Sequence, residues 1–458
     1  MPDMTETGEK TSTARTILTI LGVTLLLLLV TLAGAYWRLG QRFRKAGDEL
    51  VSEVHVLASL RRVRPAHTDA PTPGTFAQAL GPLMPELLRL HKAEPRLEES
   101  ITTACRDVRE GKQPLAKLPR ECRDAFDRGR PLMQRALLAS RTEEPGLPEG
   151  LPALSDPSHP NQKSGMVALQ HVVKLAALEV RFQLQDGQAD AALETCLDGL
   201  GLARDLGHGS GLIGAMVSAS GYKILFPACT DALQRASPLG LKKATVALRR
   251  LREGLSPLSS AMREEHVFGP LYAFGRLLDQ DQLAALPADG RAIAAQGSLD
   301  VGVEIPFFAP VLMRHAMVEF MRLQGQMVPL VDLPLSARAA RLGAVGREAV
   351  SSRNPLVGLG MPAFDTFAAR ADRQRAQVDL LLALALVEAY RAERGEWPST
   401  LPPLYPERAV LLPTALKLQP EGTDALRVVP EEADLRELEV VLGSEELDSQ
   451  ALSVTATP

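Results

Sequence analysis

Residues 16–37 read TILTILGVTLLLLLVTLAGAYW, a run of 22 side chains without a charge. Such a run is disfavoured in water and favoured in lipid, and a helix of roughly 20 apolar residues crosses the hydrocarbon core of a bilayer. A helix is also the simplest way to satisfy the backbone N–H and C=O groups there. Arg15 and Arg38 bound the run, and Tyr36 and Trp37 lie at one end, where amphipathic rings favour the headgroup layer. These features predict a transmembrane anchor at 16–37, preceded by a polar tail at 1–15.

Two further questions attach to the anchor. Ala33-Gly34-Ala35 resembles a signal-peptidase site, so a cleaved signal is the competing reading. The length of the run and the mixed charges before it (Asp3, Glu6 and Glu9 against Lys10 and Arg15) favour an uncleaved anchor. No Cys closes the run, which removes lipoprotein processing. Lys and Arg near the ends normally mark the cytoplasmic side. Lys10 and Arg15 precede the span, while Arg38, Arg42, Arg44 and Lys45 follow it, which taken alone keeps the large region in the cytoplasm. The cysteines and the resemblance described below point the other way, and the exported side is favoured slightly.

The rest of the 458-residue chain is long enough for two or three domains. Its 45% hydrophobic and 23% charged residues suit a globular core, and its Leu- and Ala-rich, β-poor character favours helices. The net charge of −4 gives no attraction for a polyanion, and 4% aromatics leave few rings for stacking bases, so a nucleic-acid partner is not expected.

Along the chain, residues 38–62 carry Leu39, Phe43, Ala46, Leu50, Val54 and Leu57 at three- and four-residue steps. That is an amphipathic juxtamembrane helix, which fits a stalk, a self-pairing seam or packing on its own domain. A loop at 65–74 leads to a helical subdomain at 64–141, with helices at 76–93, 95–111 and 120–141. Residues 142–163 hold five prolines and read as a linker. A helical bundle follows at 164–353, with helices at 166–185, 189–206, 212–236, 239–254 and 258–286; residues 300–310 read as a strand or extended loop, and 311–325 as a further helix. Helix–break–helix steps there resemble tetratricopeptide hairpins, without a sustained 34-residue period. The unit 354–443 is read as a loop, a long helix at 363–394 and short strands at 426–429 and 438–442; residues 444–458 are a frayed tail. The fold class is therefore mainly α: a transmembrane helix, an irregular bundle and a small C-terminal α+β element.

The long helix ends in Tyr390, Gly395, Trp397 and Pro398, followed by Leu401 and Leu404, with Asn354-Pro355 upstream. Gly stops a helix, Trp can pack back on its last turn, and Pro prevents continuation. This step resembles a pattern found in uncharacterised membrane-anchored bacterial proteins, and more distantly the helix-to-sheet step of type II secretion pseudopilins. It covers roughly 60 residues. The pseudopilin Gly-Phe-Thr-Leu-x-Glu start is missing, since this chain has Ala14-Arg15-Thr16-Ile17-Leu18, and Leu412-Pro413-Thr414 stands where an Asp-Pro-aromatic turn is usual. The resemblance implies a shape and an address in the bacterial inner membrane, with no activity and no pilus assembly.

Candidate chemistry is sparse. Cys105 and Cys122 share the context Cys-Arg-Asp, with Gly111, Pro114 and Pro119 between them. A disulfide there would contribute roughly 3 kcal/mol in an oxidising compartment, against the alternative of two unrelated buried thiols. Cys196 and Cys229 lie on apolar helical faces and read as small hydrophobes, and no spacing suits zinc. Gly209-Ser210-Gly211-Leu212-Ile213-Gly214 fits G-x-G-x-x-G, but a helix precedes it where a dinucleotide site needs a strand, so no cofactor is expected. Glu265 and His266, with Glu264, are the only weak catalytic candidates; consecutive positions fan out around a helix and would need partners from elsewhere. The other histidines, among them His171, His208 and His315, read as structural or surface groups. The sequence thus favours a membrane-anchored module that binds protein partners or scaffolds an assembly. A membrane-tethered enzyme with a site built from distant residues and a secreted, cleaved binding domain are the alternatives.

Overall fold

A computed structural model describes residues 7–60, 62–93, 102–297, 309–352, 354, 357, 364–401, 414–421 and 425–443. Most of the extended segment at 300–310, the 354–362 loop apart from Asn354 and Val357, Leu404, Leu412-Pro413 and the tail from 444 lie outside the described residues.

The anchor and the juxtamembrane segment form one helix, α1 (Thr7–Ser59), of 53 residues, about 80 Å long at 1.5 Å per residue. The helix also takes in residues 7–15 of the expected polar tail. It carries no Gly–Pro break near residue 38, so nothing in the sequence stops the hydrogen-bond ladder between the two segments. The stretch from residue 18 to 37 is exposed throughout: Leu18 is 71% exposed and Trp37 65%. Thr24 and Thr31 donate their hydroxyls back to Ile20 O and Leu27 O, so neither needs water. From Phe43 the same helix turns inward, with Ala46, Leu50, Val54 and Leu57 all buried. Of the readings open for this segment, it continues the membrane helix and packs on its own domain.

After α1 come β1 (Thr72–Thr75), α2 (Phe76–Leu80), α3 (Met84–Ala93), α4 (Thr102–Arg109), α5 (Arg120–Ala139) and β2 (Thr142–Glu144). Thr75 and Gln78 form a capping box that starts α2. β1 and β2 pair in parallel, Thr72 with Thr142 and Thr75 with Glu144. The segment read as a linker is therefore laid down on the body, with Leu151 buried in the core. Proline content alone does not separate a linker from a pinned irregular segment.

The bundle continues with α6 (Pro160–Gln185), α7 (Ala189–Leu206), α8 (Gly211–Arg235) and α9 (Pro238–Glu253). α8 is apolar and long enough to cross a membrane, yet over half of its most apolar stretch is buried among α6, α7 and α10 (Leu258–Phe274). Gly221 lets α7 approach: a Cβ there would stand 2.6 Å from Ala203 Cβ. The helix expected at 258–286 breaks after α10. Asp279 caps a new short helix, α11 (Gln280–Ala285), through a second capping box with Gln282. Then follow α12 (Ala288–Gln296), α13 (Ala309–Met327), α14 (Leu335–Val350) and the long α15 (Phe364–Arg394). The chain ends in an antiparallel sheet of β3 (Leu416–Glu421), β4 (Ala425–Pro430) and β5 (Val440–Leu442), in that order.

Two apolar cores result. One gathers α2, α3, α5–α9, the middle of α15 and the sheet. The other gathers the second half of α1, α10, α12–α14 and the start of α15. α15 is buried on every side from Ala376 to Val387 and joins the two. This division does not follow the sequence units 64–141 and 164–353: the first merges into one core, and the second is shared between both.

A buried ionic cluster ties the end of α1 to α7. Arg64 grips Asp205 with two bonds, 2.6 and 2.7 Å, and donates to Thr142 O at 2.7 Å. Arg204 donates to the same carboxylate at 2.9 Å and to Pro65 O at 2.9 Å. Two turns earlier, Asp198 accepts from Arg141 at 2.6 Å and binds His67 at 3.0 Å. Burial works to raise the Asp205 carboxyl, but Arg204 and Arg64 outweigh it and hold it below its ordinary range. Removing one partner of such a pair leaves uncompensated buried charge. Asp205→Asn is therefore expected to lose about 3–5 kcal/mol of unfolding stability. Asp69→Asn, which breaks the exposed Arg250–Asp69 pair, should lose under about 1 kcal/mol. Urea denaturation of the two variants checks both values.

Candidate functional site

A concavity lined by several ionisable side chains opens between α4, α5, α6 and α8, with a volume of about 340 Å³. Helical spacing assembles it. On α6, His171, Lys174, Leu175 and Leu178 fall at three- and four-residue steps on one face. On α8, Ser220, Lys223 and Ile224 do the same, and on α4 Cys105, Arg106 and Arg109. Gln170 Nε2 donates to Ser220 Oγ at 2.7 Å and holds α6 to α8. Arg181 of α6 donates to Arg109 O at 3.2 Å and pairs with Asp231 of α8, fixing the end of α4.

One wall is a disulfide between Cys105 and Cys122, whose Cα atoms are 6.2 Å apart. It fastens α4 to α5. A second disulfide joins Cys196 of α7 to Cys229 of α8, Cα–Cα 5.6 Å. This corrects the reading of that pair as separate small hydrophobes. Both residues do sit on apolar faces, but those faces meet each other.

The lining is unbalanced in charge. Arg106, Arg109, Lys174 and Lys223 face a single carboxylate, Glu110, which Lys112 holds at 2.9 Å. Arg106 stands 3.9 Å from Asp107 on its own helix. Burial pushes the His171 imidazole down to about 4, and the cations Lys174, His91 and Arg109 push in the same direction. His171 Nε2 and Arg109 Nε are buried without a hydrogen-bond partner among the described residues. His171, which the sequence reads as a structural or surface group, lines this cavity. The one local signal was its i, i+3 spacing to Lys174; the convergence with α4 and α8 exists only in three dimensions.

The weak catalytic candidates do not converge. Glu264 accepts from Arg62 at 2.5 Å and from Gly211 N at 2.7 Å. Burial pushes the His266 imidazole down, against the raising effect of Glu53, Glu49 and Gln324 around it. Glu265, between them, is raised by burial and then by Glu264. The three side chains serve different neighbours, as consecutive helical positions do. The same contact accounts for the glycine-rich turn: Gly209 (φ +91°) and Gly211 (φ +65°) connect two helices. The Gly211 amide that a phosphate would use is taken by Glu264. Among the described residues, no three His, Cys, Asp or Glu side chains group as a metal site.

At the C-terminal step, Gly395 (φ +76°) ends α15, donating its amide to Arg391 O at 2.8 Å. The Arg391 guanidinium lies 4.2 Å over the Trp397 ring, and that of Arg394 lies 5.7 Å from the Tyr390 centroid. Pro398 is buried, and Trp397 and Leu401 pack on the first core. These residues close a helix. One turn before the step, burial pushes the Glu388 carboxyl up to about 7.

No family model, no curated protein and no solved structure matches this chain.

Two titrations follow. The His171 ring should show an NMR midpoint near 4 in the folded protein, against 6.5 for a free imidazole; the unfolded chain binds its proton first, so this group removes stability as pH falls below 6.5. Glu388 acts in the opposite sense, because the unfolded chain loses its proton first as pH rises from 4.5 towards 7. Glu388→Gln is expected to raise the melting temperature relative to the parent at pH 8, and to lose that advantage at pH 4.5.

Proposed function

We propose that this chain is a single-pass protein of the bacterial inner membrane whose helical body faces the oxidising side and serves as a protein-binding or scaffolding module. The carrying observation is the change of environment along α1. Twenty residues expose only lipid-compatible side chains, and the next turns of the same helix are buried in a protein core. The span from 18 to 37 is about 30 Å long, the thickness of a hydrocarbon core. Arg314 of α13 donates to Tyr36 OH at 3.2 Å and lies 5.3 Å over the Phe43 ring. The body therefore starts at the aromatic end of the span, where a headgroup layer would lie.

Orientation rests on the cysteines. All four described cysteines are paired, and disulfides persist in exported compartments and are rare in the cytosol. That outweighs the cluster Arg38, Arg42, Arg44 and Lys45, part of which has a partner in the body: Arg44 pairs with Asp279 at 3.3 Å. α6 and α7 are consecutive helices packed on each other, and reading them as a tetratricopeptide-like hairpin is part of the same proposal. A tethered enzyme is supported less well, since the cavity lining offers one carboxylate and that one is already paired.

The intact protein should stay with the membrane pellet after an alkaline carbonate wash, and Leu26→Arg with Leu27→Arg should release it, since each arginine at mid-span costs about 2.5–3.5 kcal/mol. Maleimide labelling of the denatured protein should find no free thiol before reduction and four after it. Free thiols in protein trapped directly from cells would place the body in the cytosol. Affinity purification from detergent-solubilised membranes should retain partners that an anchor-only control does not; an identical set would end the binding-module reading.

A further inference from the structure

We propose that the cavity between α4, α5, α6 and α8 binds a small organic anion, a carboxylate or phosphate carried on a compact apolar body. The inference goes beyond the reading as an anchored module and does not depend on which side of the membrane the body occupies.

Four observations carry it. The cavity, at about 340 Å³, falls at the small end of the range of sites that enclose low-molecular-weight ligands. Its lining carries Arg106, Arg109, Lys174 and Lys223 against Glu110 alone, and a partly enclosed cleft of one sign concentrates counter-charged solutes. Two lining side chains, Arg109 and His171, each bury a nitrogen that no described protein group satisfies, and buried polar atoms of this kind are normally satisfied by something. The remaining wall is apolar: Ala125, Leu175, Leu178, Ile224 and the Cys105–Cys122 bridge.

These features select the ligand. A cation is excluded by the four positive side chains. A guanidinium and ammonium groups favour carboxylate or phosphate oxygens, through short charge-assisted bonds. The neutral imidazole of His171 can donate or accept at Nε2 without adding to the local positive charge. A bare inorganic ion would leave the leucine and isoleucine wall facing water, so an apolar body is part of the ligand. The lining contains no Phe, Tyr or Trp ring for a sugar or base to stack on.

The test is isothermal titration calorimetry on the full chain in zwitterionic nanodiscs, with empty nanodiscs as the blank. The probes are hexanoate, hexyl phosphate, hexan-1-ol, hexylammonium and inorganic phosphate. One saturable site per chain is expected for hexanoate or hexyl phosphate, at least tenfold tighter than for hexan-1-ol or inorganic phosphate, with no saturable heat from hexylammonium. The tighter of the two anions identifies the headgroup. Lys223 is exposed, so Lys223→Glu should fold and should weaken the anion at least tenfold; Arg109→Gln should do the same, and Lys243→Glu on α9 should change nothing. Equal binding of hexan-1-ol and hexanoate would overturn the anion requirement, and equal binding of inorganic and hexyl phosphate the apolar one. No saturable heat from any probe, or unchanged affinity in folded Lys223→Glu, would overturn the site itself.

Discussion

A single unbroken helix joins an exposed apolar stretch to a stripe buried in the body, and the rest of the structure is arranged around that junction. α1 has no bend at which an anchor could be separated from a domain, so the direction of the apolar span fixes the direction of the body behind it. The first part offers a uniform apolar surface suited to lipid. The second narrows to a stripe of Phe43, Ala46, Leu50, Val54 and Leu57, which α10, α11 and α13 cover. Rotation about a flexible stalk is thereby removed. The body sits against the aromatic end of the span, held by Arg314 on Tyr36 and Phe43.

The return from α1 into the remaining chain is fixed by charge. The segment at 62–67 is irregular and its Val63 side chain is 77% exposed, so its position depends on the buried Arg64 and His67 meeting Asp205 and Asp198 on α7. Arg62 adds a bond to Glu264 on α10, whose carboxylate also caps α8 through Gly211. These contacts link both apolar cores at one corner, and α15 links them again through its fully buried middle. Within that middle, Asp379 is held by Arg252 at 2.5 Å and by the Thr414 hydroxyl at 2.8 Å, which seats the start of the C-terminal sheet. Buried ion pairs of this sort fix geometry more than they add net stability.

The cavity is a by-product of how α4 is attached. α4 is short and buries one apolar side chain, Val108, so it has little apolar surface with which to dock. A disulfide and the Arg181 contact hold it instead, leaving a gap lined by long cationic side chains. Such a gap is uncommon in a well-packed helical body, and its one-sided charge distinguishes it from a packing defect.

The sequence alone determined what depends on neighbouring residues. The uncharged run sets the membrane-compatible helix, because transfer to lipid is decided by summed side-chain chemistry. Three- and four-residue periodicity sets most of the bundle helices and the buried stripe of α1, and Gly395 sets the end of α15. Tertiary structure decided what depends on meetings between distant segments. It broke the helix at 258–286, because Asp279 and Gln282 satisfy the backbone better as a new cap. It drew the proline-rich 142–163 segment into the body, because Thr142 found a strand partner at Thr72 and Leu151 found the core. It paired Cys196 with Cys229, dispersed Glu264, Glu265 and His266 to different neighbours, and gathered His171, Arg109 and Lys223 around one space. Periodicity tells which face of a helix turns inward; only packing tells which other face it will meet.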